Sequence, residues 1–433
     1  MASLPLLTKD NNIGNPLILS ESQKADLLPI AGKSLKSLGE DILVFPQDFD
    51  VYGDDIGKGV AFNIDGSQLR TGNIMGFIGR GDTMIKIGSR FDNNNRDYFM
   101  HYMLEKVLSI NLFDLNYSTN REEIFDILPF LFPYYLKKAL AQGIYKEYQT
   151  FKRNDSAFRG VLDVTRHIRL NYPATGNVAY KTREHTLDNT ITELIRHTIE
   201  CIARKDFCSS ILSCDEDTKA FVSQIVSATP SYNPQDRQKV INANLRPKIH
   251  PYYSEYTSLS RLCLQILKNE EMKYGSDNDE IHGILFDGAW LWEEYLNTIL
   301  GPKGIKHPKN KDNKGGFPLF KNRRAWRYPD FYADNVVLDA KYKSYDGKDI
   351  EDVSREDLAQ IISYMYVQQA HAGMVLSPGK SVRESVSELR GHGGIMSLMT
   401  LAVPGVDNYD SFVAQINQNE GAICQMIERY LTK

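Results

Sequence analysis

Cysteine and long apolar runs are both scarce in this chain. Its 433 residues include five cysteines, and none of them forms a C-x-x-C pair. An odd number without such a pair argues against a disulfide framework and favours free thiols in a reducing cytoplasm. No apolar run reaches the roughly 18 residues that span a bilayer, and the N-terminus lacks a basic stretch followed by a long apolar one. We therefore expect a cytoplasmic protein with no membrane contact.

The chain also lacks an excess of charge of either sign. It has 51 basic and 55 acidic residues, which give a net charge of −4. A nucleic-acid binder with this balance must concentrate its positive charge locally, since the whole chain offers no positive field. Hydrophobic residues make up 42% and charged residues 24%, as in ordinary soluble globular proteins, and the length favours two or three domains.

Two motifs that would bind a nucleotide or zinc are incomplete. Gly32-Lys33-Ser34 resembles the end of a phosphate-binding loop, but the required glycine five residues earlier is replaced by Leu27. His197 and Cys201 share a helix face, yet no second ligand pair at short spacing follows them. We expect that any motor for NTP hydrolysis belongs to another chain and that the cofactor-binding sites of such motors are absent here.

The pattern of apolar residues changes twice and predicts three segments. Residues 1–95 form a β-rich N-terminal module, residues 96–275 a mainly helical middle region, and residues 276–433 a mixed α/β domain. The predicted strands of the first segment lie at residues 42–45, 59–64, 74–78 and 84–87. The predicted helices of the second segment lie at residues 98–112, 124–150 and 187–203.

The third segment alternates between helical and strand patterns. A helix is predicted at residues 286–300, followed by a polar, basic loop at 302–327. Two strands then flank the turn dipeptide Asp334-Asn335 within residues 328–343. A second helix at 355–370 and strands at 373–377 and 395–404 complete a mixed sheet flanked by helices.

The strongest chemical signal is Pro329-Asp330, followed after eight residues by Asp339-Ala340-Lys341. Asp339 and Lys341 are two apart on a strand, so their side chains point to the same face. The turn before that strand can bring Asp330 alongside. Both carboxylates and the main-chain carbonyl of Ala340 are hard oxygen ligands suited to Mg²⁺. Lys341 could orient or help deprotonate the attacking water and offset charge on a phosphorane-like transition state. The alternative is a surface hairpin with an ordinary Asp–Lys pair.

Polar residues on the two flanking helices could complete this site. Glu293 lies in an apolar stripe, where a carboxylate is expected to be paired, protonated or metal-bound, whereas Glu294 on the neighbouring stripe is expected to be solvated. Glu293 is therefore a candidate third acidic residue, or else a half-exposed glutamate at the edge of the stripe. Gln360 and Tyr364, at i and i+4, could contact a phosphate or hold the lysine, or could be ordinary polar helix residues.

Residues 302–328 contain nine lysines and arginines and one aspartate. This local charge of +8, interleaved with Phe320 and Trp326, suits contact with the phosphate backbone of DNA, and a solvated loop is the alternative. The candidate DNA-binding residues are Lys309, Lys311, Lys314, Lys321, Arg323, Arg324 and Arg327.

Together these residues resemble the PD-(D/E)xK nuclease core. Within that superfamily the chain resembles the McrC family, the nuclease subunits of McrBC-type restriction systems, over roughly residues 150–433. The resemblance is carried by Pro329-Asp330, Asp339-Ala340-Lys341, Glu293 and Gln360-x-x-x-Tyr364. It extends to Trp290-Leu-Trp-Glu-Glu-Tyr-Leu296, to Phe158-Arg-Gly-Val-Leu-Asp163 and to Thr186-Leu-Asp-Asn-Thr190.

The resemblance implies a Mg²⁺-dependent endonuclease subunit that cuts double-stranded DNA. It also implies a McrB-like AAA+ GTPase partner that assembles into hexameric rings, recognises the DNA and hydrolyses GTP faster when the subunit is bound. The N-terminal part of such subunits inserts into the ring, a role that would fall here to residues 40–92 and their neighbours. A non-catalytic adaptor that keeps the nuclease fold to bind DNA or the partner is the alternative, and the presence of Asp330, Asp339 and Lys341 favours the enzyme.

Overall fold

The computed structural model of the chain contains two compact units. One combines Met1–Ile127 with Ser276–Lys433, and the other consists of Leu128–Gly275. The structure describes residues 5–39, 42–46, 58–92, 96–108, 127–204, 209–272, 281–308, 316–391 and 393–431. Among these residues, no helix has both the length and the apolar character needed to cross a membrane.

Strands occur in every segment of the chain. In chain order they are β1 (Leu6–Lys9), β2 (Leu17–Ile18), β3 (Leu43–Phe45), β4 (Phe62–Asp65), β5 (Gln68–Thr71), β6 (Ile74–Arg80), β7 (Thr83–Gly88), β8 (Glu147–Asp155), β9 (Val161–Leu162), β10 (Val178–Thr186), β11 (Ile281–Asp287), β12 (Phe317–Pro318), β13 (Trp326–Arg327), β14 (Phe331–Ala333), β15 (Val336–Ala340), β16 (Ala372–Gly379), β17 (Arg383–Glu388) and β18 (Ile395–Ala402). The four strands predicted in the N-terminal module are confirmed by β3, β4, β6 and β7.

Each of the five predicted helices overlaps a helix of the structure, and the described residues contain further helices that the apolar periodicity did not predict. They are α1 (Glu21–Leu27), α2 (Leu35–Leu38), α3 (Tyr98–Leu108), α4 (Ile127–Ala141), α5 (Val164–Asn171), α6 (Thr190–Ala203), α7 (Glu216–Ala228), α8 (Arg237–Ala243), α9 (Glu255–Met272), α10 (Gly288–Leu300), α11 (Arg355–Gln368) and α12 (Tyr409–Leu431). Short 3₁₀ turns lie at Ser209–Ser213, Pro234–Asp236, Pro251–Tyr253, Gly301–Lys303 and Ile350–Asp352.

The N-terminal sheet of the first unit has the strand order β1-β7-β6-β11-β3. Strand β11 is contributed by the third segment of the chain, and it runs antiparallel to β6 and parallel to β3. The predicted helix at 286–300 was therefore wrong at its start, since Phe286 and Asp287 belong to β11. Asp287 ends the strand and caps α10, because its Oδ1 atom accepts a hydrogen bond from the Trp290 amide at 2.9 Å.

The predicted three-part division of the chain stays a prediction. What the structure adds is that the first and third segments share a sheet and pack within one unit. Leu285 of β11 lies in the same apolar cluster as Ile74, Ile78 and Ile85 of the N-terminal module. Burying these side chains together is the main stabilisation that the sheet gains.

The C-terminal sheet of the first unit has the order β14-β15-β16-β18-β17. Strands β15, β16 and β18 are parallel, and the hairpin β14–β15 turns at Asp334-Asn335 as predicted. Val336, Val337 and Leu338 are buried because helices cover the sheet, which is why this strand reads as a continuous apolar run. Helix α11 packs on one face, where Ile361 and Val337 share an apolar cluster.

The second unit contains helices and one small antiparallel sheet of order β8-β10-β9. The middle region is therefore not only helical, and the helix predicted at 124–150 was wrong in its last part. Helix α4 ends at Ala141, and Gly143 follows with a left-handed φ of 87° that glycine adopts without strain. The chain then enters β8, which pairs with β10 over all nine of its residues, from Glu147 to Asp155.

Candidate active site

The candidate site lies where the hairpin β14–β15 meets the carboxyl end of β15. Strand β14 pairs Phe331 with Leu338, so Asp330 lies one position beyond this pair and alongside Asp339. The Oδ2 atom of Asp330 accepts a hydrogen bond of 2.7 Å from the Ala340 amide. Asp339 is 1% exposed. The turn therefore brings the two predicted carboxylates together, as the sequence pattern indicates.

Lys341 lies on the same face as Asp339. Its Nζ atom is 2.7 Å from Asp339 Oδ2, and it donates a hydrogen bond of 3.4 Å to Gln360 Oε1. Burial alone would lower the pKa of Lys341, but the charge of Asp339 and its hydrogen bond raise it overall. The lysine is therefore a cation at neutral pH, which suits the stabilisation of negative charge better than proton abstraction from water.

The two aspartates resist ionisation. Burial, followed by the negative charges of Glu293 and Asp339, raises the pKa of Asp330 well above its usual range. Burial also raises the pKa of Asp339, although the charge of Lys341 opposes that effect. Crowded carboxylates of this kind repel each other, and a divalent cation between them would relieve the repulsion.

Glu293 and Glu294 both approach the site from α10. They lie next to His307, which the sequence pattern did not single out. His307 Nε2 lies 3.7 Å from Glu293 Oε1 and 4.0 Å from Glu294 Oε1. His307 Nδ1 donates a hydrogen bond of 2.8 Å to the Asp330 carbonyl, and its ring stacks on Phe331. The predicted contrast between an enclosed Glu293 and a solvated Glu294 was wrong, because their side chains are similarly exposed, at 27% and 22%.

Gln360 and Tyr364 face the site from α11. Gln360 Nε2 donates a hydrogen bond of 2.6 Å to the Tyr364 hydroxyl, while its Oε1 accepts from Lys341. Burial, with the nearby charges of Asp339 and Asp330, raises the pKa of Tyr364 to about 12, although the hydrogen bond from Gln360 opposes this. Of the two interpretations left open by the sequence, this geometry matches the one in which the pair holds the lysine.

Asp357 is a second residue that sequence reasoning missed. Its Oδ1 atom lies 3.5 Å from Lys341 Nζ, and its Oδ2 atom accepts hydrogen bonds from Lys343 at 2.9 Å and from Tyr345 at 3.2 Å. Burial works against its ionisation, but hydrogen bonds from Lys343 and Ser354 lower its pKa overall. Asp357 lies three residues before Gln360 and seven before Tyr364 on α11, which places all three on one helix face. This spacing could have identified it from the sequence.

The donor chemistry fits Mg²⁺. Within the described part of the chain, no three histidine, cysteine, aspartate or glutamate side chains converge closely enough to hold a metal ion by themselves. Mg²⁺ does not need three, because it usually takes one or two carboxylates and keeps several waters. Asp330 and Asp339 lie close together and both have raised pKa values, which is the environment expected of such a pair. Their assignment as metal ligands, with the Ala340 carbonyl, stays a prediction.

Comparison with known proteins gives the family. A model described as "McrBC 5-methylcytosine restriction system component" matches residues 69–377. The chain belongs to this family. The resemblance to McrC-type subunits inferred from the sequence is thereby confirmed, and the match includes Glu293, Asp330, Asp339, Lys341 and Gln360.

Two solved structures from Thermococcus gammatolerans are similar to this McrBC family chain. One is a refined half-complex from a tetradecameric assembly of McrB AAA+ hexamers with bound McrC, at 16% identity and a TM-score of 0.47, covering 91% of this chain and 97% of that one. The other is a cryo-EM structure of the McrBC complex, at 15% identity and a TM-score of 0.35, covering 70% and 89%. No curated protein matches the chain.

The basic segment of this McrBC family chain is partly a hairpin. Strands β12 and β13 pair, and the turn between them displays Lys321, Arg323 and Arg324 to solvent. The Arg323 guanidinium lies over the half-exposed Trp326 ring, 5.7 Å from its centre. Arg327 is partly buried three residues before Asp330. The remaining candidates, Lys309, Lys311 and Lys314, lie outside the described residues.

Proposed function

We propose that this chain is the Mg²⁺-dependent DNA endonuclease subunit of a GTP-dependent, McrBC-like restriction system. It would act as a phosphodiester hydrolase with a PD-(D/E)xK core in the C-terminal sheet. The observation that carries the proposal is the juxtaposition of Asp330, Asp339 and Lys341 at the carboxyl end of β15, with Asp339 Oδ2 and Lys341 Nζ 2.7 Å apart. Membership of the McrBC restriction family supports the same reaction class.

Each residue of the site would have a distinct task. Asp330, Asp339 and the Ala340 carbonyl would hold Mg²⁺, which when bound polarises the phosphate and lowers the pKa of a bound water. Lys341, held as a cation by Asp339, would stabilise the charge that develops on the phosphate oxygens. Gln360 fixes the lysine through its 3.4 Å hydrogen bond and is itself oriented by Tyr364. Glu293 would add negative charge near Asp330 and thus strengthen cation binding.

The DNA backbone would reach this site along the basic hairpin. Lys321, Arg323 and Arg324 are exposed on its turn, and the chain leads from there directly to Asp330. Phosphate contacts of this kind position a duplex without reading its sequence. The exposed Trp326 and Phe320 rings add surface on which sugars and bases can pack.

We also propose a McrB-like AAA+ GTPase as the partner, with double-stranded DNA as the shared substrate. The similar Thermococcus gammatolerans assembly is described as McrB AAA+ hexamers with bound McrC. The motif Gly32-Lys33-Ser34 does not provide this chain with a nucleotide-binding site of its own. Ser34 caps the four-residue helix α2, and Leu27, at the position of the required glycine, is a buried core residue. The GTPase motor would therefore be the partner's, and this chain would stimulate it.

A surface of the second unit suits partner docking. The small sheet β8-β10-β9 and helix α5 leave several large apolar side chains uncovered, among them Val161, Ile168 and Tyr172 at 74%, 61% and 85% exposure. Clusters of this kind on soluble proteins commonly mark interaction sites. We propose that this apolar face, residues 158–172, binds the GTPase ring together with the N-terminal module predicted from the sequence.

One observation favours a second function, that of a non-catalytic adaptor. Lys341 already neutralises Asp339, and no three metal-ligating side chains converge in the described residues. An adaptor would bind DNA and partner without cutting. Incubating plasmid DNA with the chain, the copurified partner, GTP and Mg²⁺, against the same mixture in EDTA, separates the two. Linear product only with Mg²⁺ supports the nuclease, and DNA binding without any product in either mixture supports the adaptor.

A further inference from the structure

Arg90 forms hydrogen bonds to two distant parts of the first unit. Its Nη2 atom donates to the Tyr342 carbonyl at 2.6 Å and to Asn73 Oδ1 at 2.6 Å. One NH₂ group carries two hydrogens, so both bonds can form at once. Arg90 follows β7 in the N-terminal module, whereas Tyr342 follows the end of β15 in the C-terminal part of the unit.

The two partners of Arg90 stand beside residues of the candidate site. Tyr342 comes directly after Lys341 in the chain. The backbone carbonyl of Asn73 accepts a hydrogen bond of 2.9 Å from the amide of Gly288. Gly288 is the first residue of α10, the helix that carries Glu293. The guanidinium group therefore joins the beginning of α10 to the end of the segment that carries Asp339 and Lys341.

The packing around Tyr342 leaves this connection little freedom. The Arg90 guanidinium lies over the buried Tyr342 ring, 4.7 Å from its centre, and the Phe91 and Tyr342 rings pack edge to face with their centres 4.9 Å apart. Its hydroxyl shares a hydrogen bond of 2.7 Å with Ser89 Oγ. A Cβ atom at Gly288 would come within 2.7 Å of the ring, so no side chain fits between α10 and Tyr342.

Asp10 holds Arg90 in turn. Asp10 Oδ1 accepts a hydrogen bond from the Arg90 amide at 2.6 Å, and Asp10 Oδ2 lies 3.5 Å from Arg90 Nε, with the Asp10 side chain fully buried. The carboxylate therefore anchors the Arg90 backbone by a hydrogen bond and attracts the guanidinium group electrostatically. Lysine could pair with Asp10, but its ammonium nitrogen is one bond closer to the backbone than Arg90 Nη2, so it would fall short of Asn73 Oδ1 and the Tyr342 carbonyl.

We propose that Arg90 is a positioning residue of the nuclease, which holds Lys341 and Glu293 at their working separation from within the N-terminal module. The inference rests on the proposed function. It predicts that the position of the N-terminal module and the rate of DNA cleavage are coupled through one side chain that touches neither DNA nor metal. Small displacements of catalytic groups are costly, since about 1 Å can reduce a rate on the order of 100-fold.

The test compares Arg90→Lys and Asn73→Ala with Lys86→Met in the full chain, assembled with its partner, GTP and Mg²⁺. Lys86 forms an ion pair of 2.7 Å with Asp97 in the same module, with 11% and 6% side-chain exposure, so its loss is a matched structural change. We expect Arg90→Lys to lower the cleavage rate at saturating DNA at least about tenfold, with KM within about twofold of the unmodified chain. Asn73→Ala should cause a smaller loss of the same kind, and Lys86→Met should lower the Tm without changing the rate.

The outcomes separate this inference from the function on which it rests. If the unmodified chain cuts and Asp339→Asn does not, but Arg90→Lys and Asn73→Ala both cut at the full rate, the positioning role is overturned while the nuclease stands. Equal rate losses in Arg90→Lys and Lys86→Met at equal Tm would also overturn it. If Arg90→Lys fails to fold, the test depends on Asn73→Ala alone. Cleavage of DNA by Asn73→Ala at the full rate would then overturn the positioning role of Arg90. If the unmodified chain does not cut at all, both proposals fall.

Discussion

The ammonium group of Lys341 lies 2.7 Å from Oδ2 of Asp339, and Asp339 is almost completely buried. Side chains two residues apart on a strand point to the same face, so the spacing of Asp339 and Lys341 brings the two groups into contact. The ion pair keeps Lys341 charged and leaves the second carboxylate, Asp330, as the group whose ionisation is most strongly opposed. This asymmetry has consequences for mutation and for metal binding.

Asp339→Asn should abolish DNA cleavage while the fold and the complex with the partner persist. The amide keeps the shape of the side chain but removes one of two anionic ligands, which should remove most of the Mg²⁺ affinity. Asp339→Ala should be equally inactive and less stable than Asp339→Asn, because it also loses the hydrogen bond that the amide oxygen can still accept from Lys341, at about 1–3 kcal/mol. Plasmid cleavage and urea unfolding of both variants measure these effects, with the turn variant Asp334→Asn as control. Full cleavage by Asp339→Asn would refute the assignment.

Mg²⁺ binding should release protons at pH values below the raised pKa of Asp330. Burial and the charges of Glu293 and Asp339 raise that pKa, so below it the metal-free chain carries a proton that the metal must displace. The apparent Mg²⁺ affinity should therefore rise with pH and level off above the folded-state pKa of Asp330. Titration calorimetry in two buffers of different ionisation enthalpy measures the released protons. Asp330→Asn should show none, and identical heats in both buffers for the unmodified chain would contradict the expectation.

Local patterns predicted the centre of the site, and long-range packing supplied the rest. The alternation along β15 and the turn at Asp334-Asn335 were enough to place Asp330 beside Asp339 and Lys341. No local pattern could show that β11 adds to a sheet formed by strands about 200 residues earlier, because a strand does not encode its partner. The same limit applies to Arg90 and Tyr342, whose contact spans 252 residues.

Glu420 should be essential for the stability of the helices behind the site. Its Oε1 atom accepts hydrogen bonds from the hydroxyls of Tyr102 at 2.8 Å and Tyr295 at 2.7 Å, and so joins α12 to α3 and α10. Glu420→Ala would remove the partner of the buried Tyr295 hydroxyl, at about 1–3 kcal/mol, whereas the Tyr102 hydroxyl keeps its 2.7 Å hydrogen bond to Asn417 Oδ1. Urea unfolding should show this loss, whereas Glu428→Ala, which breaks an exposed pair with Lys303, should cost less than about 1 kcal/mol. Similar losses for both variants would contradict the role of Glu420.

The apolar face should decide how well this chain stimulates its partner. Val164→Asp combined with Ile168→Asp places two charges on α5, where both side chains are more than half exposed, so folding should be little affected. If the GTPase ring buries this face, the concentration needed for half-maximal GTPase stimulation should rise at least about tenfold. Ser223→Asp on the exposed side of α7 is the charge control. An unchanged stimulation curve for the double variant would exclude the apolar face as the surface that binds the partner. Separately, micromolar GTP binding by this chain alone would contradict the assignment of the GTPase to the partner.

Phosphate contacts by the basic segment should make the affinity for DNA strongly dependent on salt concentration. If Lys321, Arg323 and Arg324 contact phosphates together with Lys314, each contact releases condensed counterions. Neutralising all four should then flatten the plot of log affinity against log salt by about three to four units, near 0.9 per contact. The loss should be the same for any duplex sequence, because phosphate contacts do not read bases.

The matched control neutralises Lys219 and Lys239, which are exposed on α7 and α8 of the second unit, and its salt slope should equal that of the unmodified chain. Mg²⁺ binding at Asp330 and Asp339 should survive in the basic-segment variant, because the exposed turn at 319–325 contributes no strand to the C-terminal sheet. A lower affinity with an unchanged slope would mean that these residues act through folding. An unchanged affinity and slope would mean that the segment is a solvated loop and that the DNA follows another path to the carboxylates.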